Sequence, residues 1–280
     1  MKQIVLRQGG WTAVIDPSRG GNVTGLYCDG QPILAPEGAC QDAYLVGAPL
    51  LLPANRTSHG AFSHGGISYT LPINEPGRDN HLHGLVHNAP FSLLQVNADS
   101  VTVELCNHGL YYPFPFRLRV EYALSGRGFE SVYTLENTGE ADMPVVFGLH
   151  TTFVARGTIR IPLGPAQQRD ERCLPTGLLR PLTPAEEALC GGCPPPAEPI
   201  SGYYLAAGKI ARVGSYVYRV SDNFDHWILY NNGGKGDVFC VEPQCGGVNG
   251  LNTGECSVIS GFGRMVWKTS IFKQPEDADS

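Results

Sequence analysis

Short runs in which apolar and polar residues alternate recur along the whole chain. In Phe116-Arg-Leu-Arg-Val-Glu-Tyr-Ala-Leu124, for example, every second side chain would face the same side of an extended strand. Runs of this kind, rich in β-branched and aromatic residues, predict strands at residues 11–15, 23–28, 92–96, 101–105, 116–124, 129–135, 145–149, 216–220, 227–230, 238–241 and 264–271.

Turn sequences separate these runs, as in Asp29-Gly30 and Ser125-Gly-Arg-Gly128, and they are typical of tight hairpins. Helical periodicity is limited to a short stretch at 184–189. The chain is therefore predicted to be all-β, with two large antiparallel sheets packed face to face. Because no repeat or linker divides it, residues 1–280 are expected to form a single domain, with a disordered tail at 274–280.

Charge and composition argue against several classes of partner. The 280 residues carry a net charge of -6, so the chain has no positive field that would attract nucleic acid or anionic lipid. No apolar run approaches the roughly 18 residues of a membrane span, and no signal-peptide core follows Met1. These features predict a cytoplasmic protein with a small-molecule ligand.

The nine cysteines are an odd number in a large chain without an export signal, and we expect reduced thiols. Cys190-Gly-Gly-Cys193 is a close pair within the Pro-rich stretch 181–199. A lone pair of this spacing is weak evidence for zinc or redox chemistry, so a surface loop is the expected structure.

Three clusters place titratable groups beside Gly, Pro or Asn, where strands should end. They are Asn80-His-Leu-His-Gly84, Phe147-Gly-Leu-His150 and Val241-Glu-Pro243. His81 and His83 first raise a metal hypothesis, since alternate residues of a strand face one side. A cupin-like third ligand is missing at residues 87 and 88, which are His and Asn, and only His87 or Glu242 could replace it. We therefore expect no metal and no cofactor.

In this order, and preceded by Leu52-Pro-Ala-Asn-Arg56 and followed by Leu251-Asn252, the clusters resemble the signature of the aldose 1-epimerase (galactose mutarotase) family. The resemblance extends over about residues 10–271. It implies a galactose mutarotase-like supersandwich, a large antiparallel β-sandwich with a sugar-binding groove on one sheet. It also implies an isomerase that interconverts the α and β anomers of a free aldose.

Site residues follow from the resemblance position by position. Glu242 corresponds to the general base and His150 to the general acid. His83, Arg56 and Asn80 correspond to residues that contact the sugar, whereas His81 has no counterpart.

Two further sugar contacts are weaker expectations. The family's sugar-binding Asp lies well before the catalytic Glu, and Asp225 or Asp222 is the nearest candidate here. Tyr230, and Trp227 beside it, could line the groove because aromatic faces stack on sugar rings.

The residue types suit ring opening, in which one proton leaves the C1 hydroxyl while another arrives at the ring oxygen. A carboxylate in the apolar run Phe239-Cys-Val-Glu-Pro243 is costly to bury without a function or a partner. The structural alternatives are a salt bridge between Glu242 and Arg56 and a packed core histidine at 150.

Two other functions remain open. A hexose 6-phosphate 1-epimerase would keep the same pair and add a cationic pocket, for which Arg78, Arg117 and Arg119 are candidates. A sugar-binding or sensor protein without turnover is the non-enzyme alternative.

Overall fold

Two large antiparallel sheets pack face to face, as predicted from the strand pattern. The structure is a computed structural model, and it describes residues 2–38, 43–234 and 238–274. We call the two sheets the back sheet and the front sheet.

The back sheet has eight strands, which pair in the order Ser92–Val96, Ser100–Asn107, Phe116–Ser125, Gly128–Asn137, Arg264–Lys273, Tyr216–Val220, Ile210–Val213 and Ile159–Arg160. Its long strands follow the alternation in the sequence. In Phe116–Ser125 every second residue, beginning with Phe116, is buried, and the charged residues between them are exposed.

The front sheet also has eight strands. Seven pair in the order Pro175–Arg180, Leu163–Arg169, Ser201–Ala206, His226–Tyr230, Val238–Cys245, Phe147–Leu149 and Leu50–Leu51, and Thr152–Val154 pairs with Val238–Cys245 off this path. All eight residues of Val238–Cys245 are buried, which is expected of a central strand covered on both faces.

Smaller elements complete the chain. A four-stranded sheet contains Ile4–Gln8, Trp11–Asp16, Asn22–Cys28 and Gln31–Pro32. Two-stranded pairs join Met143–Val145 to Ser257–Ile259, Arg56–Ser58 to Asn80–Leu82, and Ala61–His64 to Ile67–Thr70. The helices are Pro184–Gly191 and Gly250–Thr253, with short 3₁₀ turns at Ala43–Leu45, Pro76–Arg78, Val86–Asn88 and Asn232–Gly234.

Aromatic side chains fill the space between the two large sheets. Phe147 of the front sheet stacks on Trp267 of the back sheet with ring centroids 4.3 Å apart, and the Tyr133 ring of the back sheet lies 5.6 Å from Phe147. Tyr218 of the back sheet contacts Phe153 and Trp227 of the front sheet. These contacts belong to one hydrophobic cluster that also includes Trp11 of the four-stranded sheet.

The prediction of one continuous strand at residues 145–149 is wrong. Residues 145–149 form the ends of two strands, because Val145 pairs with Ser257 whereas Phe147 pairs with Cys245. The backbone changes partners at Val146. The apolar run conceals this change because all five side chains are buried.

The predicted short helix is confirmed and begins at a capping box, in which Thr183 and Glu186 satisfy each other's backbone N–H groups. Cys190 lies in this helix and Cys193 just after it, so the predicted loop is partly helical. Neither thiol forms a disulfide bond, and the same holds for the other cysteines that the structure describes.

Within the described residues no helix is long and apolar enough to cross a membrane. The predicted disordered tail begins at Gln274, whose backbone N–H donates to the carbonyl of Ser215 at 2.8 Å. Residues 275–280 lie outside the described residues.

Candidate active site

A cleft of about 450 Å³ opens on the front sheet. Its floor includes Ile228 and Glu242, which face each other on neighbouring strands, and Tyr203, which pairs with Ile228 one strand further. Loops and the small sheet pairs supply the walls, which include Tyr44, Asn55, Arg56, Glu75, His83 and His150.

Glu242 lies near the middle of the buried strand Val238–Cys245, and its side chain is only 5% exposed. Burial raises the pKa of this carboxyl well above its usual range, and the nearby Arg56 charge opposes the increase. Burial therefore makes this carboxylate a stronger base than an exposed Glu, as a proton acceptor requires.

His150 follows the strand Phe147–Leu149 directly, and its backbone N–H donates to the carbonyl of Pro49 at 2.8 Å. That strand lies between Leu50–Leu51 and Val238–Cys245, where a Cβ on Gly148 would come within 3.0 Å of the Ala54 Cβ. Nε2 of His150 lies 3.5 Å from Oε1 of Glu242, and the His150 side chain is 7% exposed. The two groups can share a proton directly or through a bound hydroxyl.

His83 reaches the same corner because the chain leaves the strand Asn80–Leu82 in a left-handed conformation. His83 has φ of 64° and Gly84 has φ of 67°, and the His83 N–H donates to the carbonyl of Asn55. The His83 ring lies edge-on to the His150 ring, with centroids 5.3 Å apart. Burial, and then the neighbouring His150, lower the pKa of His83 well below its usual value, so its ring is neutral at pH 7.

Arg56 is fixed by Glu75 rather than by Glu242. Its Nε and Nη2 donate to the two Glu75 carboxylate oxygens at 2.8 and 2.7 Å, and its Nη1 donates to the Tyr203 hydroxyl at 2.7 Å. Burial opposes the charge on Arg56, but the hydrogen bonds to Glu75 outweigh it and raise the arginine pKa. The alternative of a direct Glu242–Arg56 salt bridge is therefore wrong.

This arrangement can be set beside known proteins. The family model described as aldose 1-epimerase matches residues 2–187. The chain belongs to the aldose 1-epimerase family. His150, His83 and Arg56 fall within the matched residues, and Glu242 lies beyond them.

Among curated proteins, the uncharacterised protein YihR of Escherichia coli K12 is 29% identical over 138 residues, which are 46% of this chain and 45% of YihR. The match therefore spans less than half of that relative's length.

Solved structures of the family share the fold. A galactose mutarotase-like protein from Clostridium acetobutylicum superposes with a TM-score of 0.86 at 23% identity over 96% of this chain and 94% of that one. An aldose epimerase homologue from C. elegans gives 0.79 at 14% identity, covering 98% and 99%. Galactose 1-epimerase from Lactobacillus acidophilus gives 0.73 at 17% identity, covering 98% and 95%.

Asn80, predicted from the family motif to contact the sugar, does not line the cleft. It is fully buried, and its Nδ2 donates to Glu75 and to the carbonyl of Arg172, both at 3.0 Å. Asn80 thus fixes the Glu75 carboxylate, which in turn fixes Arg56.

Neither aspartate candidate lines the cleft either. Asp225 points toward His226, whose Nδ1 lies at 2.7 Å, and it accepts the N–H of Gly246. Asp222 is exposed. Of the aromatic candidates, Tyr230 does line the cleft, whereas Trp227 is a core residue whose indole N–H donates to Gly208.

Sequence reasoning missed Glu75, Tyr203, Tyr44 and Arg169, all of which line the cleft. Tyr44 lies 4.9 Å from the His83 ring and 6.2 Å from the His150 ring. Glu75 precedes Pro76-Gly77, and a carboxylate beside such a turn was an available signal. No motif in the sequence indicated Tyr203, Tyr44 or Arg169.

A group able to hold a metal is also present. Ligand atoms of His150, Cys240 and Glu242 lie within 4.8 Å of one another, and all three residues are buried. His81, half of the pair that raised the metal hypothesis, lies outside the cleft with Nδ1 2.7 Å from the carbonyl of Pro72.

Proposed function

We propose that this chain is an aldose 1-epimerase in which Glu242 and His150 open and close the sugar ring. One observation carries the proposal: a buried carboxylate and a buried imidazole lie 3.5 Å apart beside an open cleft large enough for a monosaccharide. Membership of the family supports the reaction class.

In the proposed mechanism Glu242 accepts the proton of the C1 hydroxyl, and His150 donates a proton to the ring oxygen as the bond between C1 and that oxygen breaks. The product is the open-chain aldehyde. Rotation about the bond between C1 and C2 presents its other face. The ring then closes as Glu242 returns its proton to the new C1 hydroxyl and His150 recovers its own.

The active pair therefore holds one proton in total. Placing that proton on His150 or on Glu242 gives two forms of the same protonation state, which exchange over the 3.5 Å contact. Burial raises the pKa of Glu242, which favours the form with the proton on the carboxyl group compared with an exposed pair.

Binding groups surround the pair. Arg56 uses Nε, Nη1 and one N–H of Nη2 within the protein, which leaves a second Nη2 N–H for a sugar hydroxyl. The neutral His83 ring can also donate or accept a hydrogen bond. Tyr230 lines the sheet side of the cleft and could pack against the sugar.

No metal is needed for these proton transfers, although His150, Cys240 and Glu242 could bind one. Because a metal would occupy the atoms that move protons, we expect activity to survive EDTA. A stoichiometric metal required for turnover would overturn the mechanism.

The test is anomer exchange measured by NMR on a panel of aldoses with free C1 hydroxyls, with buffer alone as the control. We expect at least one aldose to interconvert faster than in buffer. If sugars bind but none exchanges faster, the chain is a sugar-binding protein without turnover, which was the non-enzyme alternative.

Two broader expectations remain proposals. We propose that the chain acts as a single domain, which the hydrophobic cluster shared by both large sheets supports. A cytoplasmic location stays a prediction from the sequence.

A further inference from the structure

Arginines outnumber acidic residues in the lining of the cleft. Arg56, Arg78 and Arg169 line it together with Glu75 and Glu242. Glu75 pairs with Arg56 and also accepts from Arg78 at 2.9 Å.

Arg169 has no carboxylate partner among the salt bridges of the described residues. Its Nη1 donates to the Ser201 hydroxyl at 3.0 Å, and its guanidinium lies 5.7 Å from the centroid of the Tyr203 ring. Arg169 is exposed and the Arg78 side chain is 45% exposed, so both groups can meet a ligand without leaving a packed site.

The charges of the cleft do not balance. Burial opposes the ionisation of Glu75, but hydrogen bonds from Arg56 and Asn80 outweigh it and lower the pKa to about 2, so Glu75 is ionised at neutral pH. Even with Glu242 also ionised, three arginines face two carboxylates. The chain as a whole has a net charge of -6, so the positive excess is local. A cleft focuses the electric field of the charges that line it, which strengthens their attraction for an anionic ligand.

The position of Arg169 relative to Glu242 and His150 determines which part of a bound sugar would meet its positive charge. Arg169 ends the strand Leu163–Arg169, which neighbours Ser201–Ala206, then His226–Tyr230, then the strand of Glu242. Three strand spacings separate the backbones by about 14 Å. The long side chain of Arg169 reaches back over Tyr203, and Arg169 and Glu242 line the same cleft, so one ligand can contact both.

We propose that the natural substrate is an aldose with an anionic group, a phosphate, sulfate or carboxylate, at the end remote from C1. Arg169 binds this group, assisted by Arg78. A planar guanidinium suits such oxyanions because it offers parallel N–H donors. The inference rests on the proposed epimerase function and replaces the free aldose expected from sequence.

Two of the arginines suggested earlier for a phosphate pocket are elsewhere. Arg117 and Arg119 lie on Phe116–Ser125 of the back sheet, where they pair with Glu104 and Glu136. Arg117 therefore serves as a matched control, since it is an exposed arginine on a strand that does not border the cleft.

The experiment compares glucose with glucose 6-phosphate, glucose 6-sulfate and glucuronate, measuring kcat/KM for anomer exchange in wild type, Arg169→Gln and Arg117→Gln. We expect wild type to prefer at least one anionic sugar over glucose. Arg169→Gln should lower kcat/KM for that sugar by roughly 10- to 100-fold, mainly through KM, as for loss of a charge-assisted hydrogen bond. Glucose turnover, and all rates of Arg117→Gln, should change by less than about twofold.

The ranking among the three anionic sugars identifies which oxyanion is bound. Equal kcat/KM for glucose and every anionic sugar, or an equal loss for all sugars in Arg169→Gln, would overturn the inference while leaving the epimerase proposal intact. Titration calorimetry tests separately whether the epimerase proposal fails. Binding of an anionic sugar that depends on Arg169 without turnover would support the anion site and contradict the epimerase function.

Discussion

At the scale of single residues, different hydrogen-bond partners give the carboxyl groups of Glu242 and Glu75 opposite pKa shifts. Both are carboxylates in one cleft, but Glu242 has no bidentate cationic partner, and burial raises its pKa well above the usual range. Glu75 receives hydrogen bonds from Arg56 and Asn80 that overcome burial and lower its pKa to about 2. Glu242 is therefore the stronger base of the two, while Glu75 keeps its charge at neutral pH.

The pH dependence of catalysis follows from this difference. Glu242 acts as a base only when ionised, so kcat/KM should rise as pH passes upward through its raised pKa and fall when His150 loses its proton. In His150→Asn the alkaline limb should disappear, leaving a small rate with an acid limb centred well above pH 4.5. An acid limb at or below that value, or an unchanged alkaline limb, would contradict these roles.

Glu75 should contribute stability that depends on pH. Its folded pKa of about 2 lies below the ordinary 4.5, so the contribution is complete above pH 4.5 and is lost as pH falls toward 2. We expect Glu75→Gln to lower the free energy of unfolding at pH 7 by on the order of 3 kcal/mol.

Urea denaturation of wild type and Glu75→Gln between pH 2.5 and about 7 checks this, with Glu136→Gln on the back sheet as a control that should change little. A gap between wild type and Glu75→Gln that stays constant down to the lowest pH would show that ionisation of Glu75 is not its cause.

Some site residues could be predicted from the sequence and others could not. Glu242 stands out because a carboxylate interrupts an apolar run, whereas His150 was assigned through its resemblance to the family motif. Glu75 meets Arg56 only because the strands Arg56–Ser58 and Asn80–Leu82 pair and return the chain. Asp225 was misplaced because sequence spacing does not reveal that its carboxylate caps Gly246 instead of facing the cleft.

At the scale of elements, short irregular segments place the site on a regular sheet. The strand Arg56–Ser58 carries Arg56, and Asn80–Leu82 leads into His83. Both segments are three residues long, too short for an alternating pattern to reveal them. The ten-residue strands Phe116–Ser125 and Gly128–Asn137 were predictable because their alternation is sustained and the short loop between them fits a hairpin.

Gly84, which follows His83, has a backbone conformation and a close contact that only glycine fits. Its φ is +67°, and an added Cβ would lie 2.0 Å from the Leu52 carbonyl oxygen. Gly84→Ala should therefore displace the backbone beside His83, lowering both kcat and the free energy of unfolding, the latter by on the order of 2 kcal/mol.

Gly126→Ala is the matched control, because that glycine lacks a positive φ and its Cβ would meet nothing within 4 Å. Thermal unfolding and anomer exchange of both variants test the argument. Wild-type stability and rate in Gly84→Ala would mean that this contact does not set the position of His83.

At the scale of the whole molecule, aromatic packing between the sheets supports the floor of the cleft. Phe147, three residues before His150, stacks on Trp267 of the back sheet. The fold class was predictable because alternation and turn sequences are distributed over the whole chain. The change of partner at Val146 was not, since a uniformly buried run carries no mark of which sheet each residue joins.

Trp267→Ala should lower the free energy of unfolding by roughly 3–5 kcal/mol, because it leaves a cavity between the sheets. Val266→Ala, on the same strand with a partly exposed side chain, should cost less than about 1 kcal/mol. Chemical denaturation of both variants provides the comparison. A loss in Trp267→Ala no larger than in Val266→Ala would contradict the proposed packing between sheets.

In the proposed mechanism Glu242 transfers a proton during anomer exchange. The direct measurement is the exchange rate of a saturating aldose substrate in wild type and Glu242→Gln, with sugar affinity measured on the same samples. We expect kcat to fall by about 100-fold or more, as for loss of a general base, while affinity changes little because glutamine keeps the shape of the side chain. A Glu242→Gln enzyme that keeps more than about half of the wild-type kcat would contradict the claim.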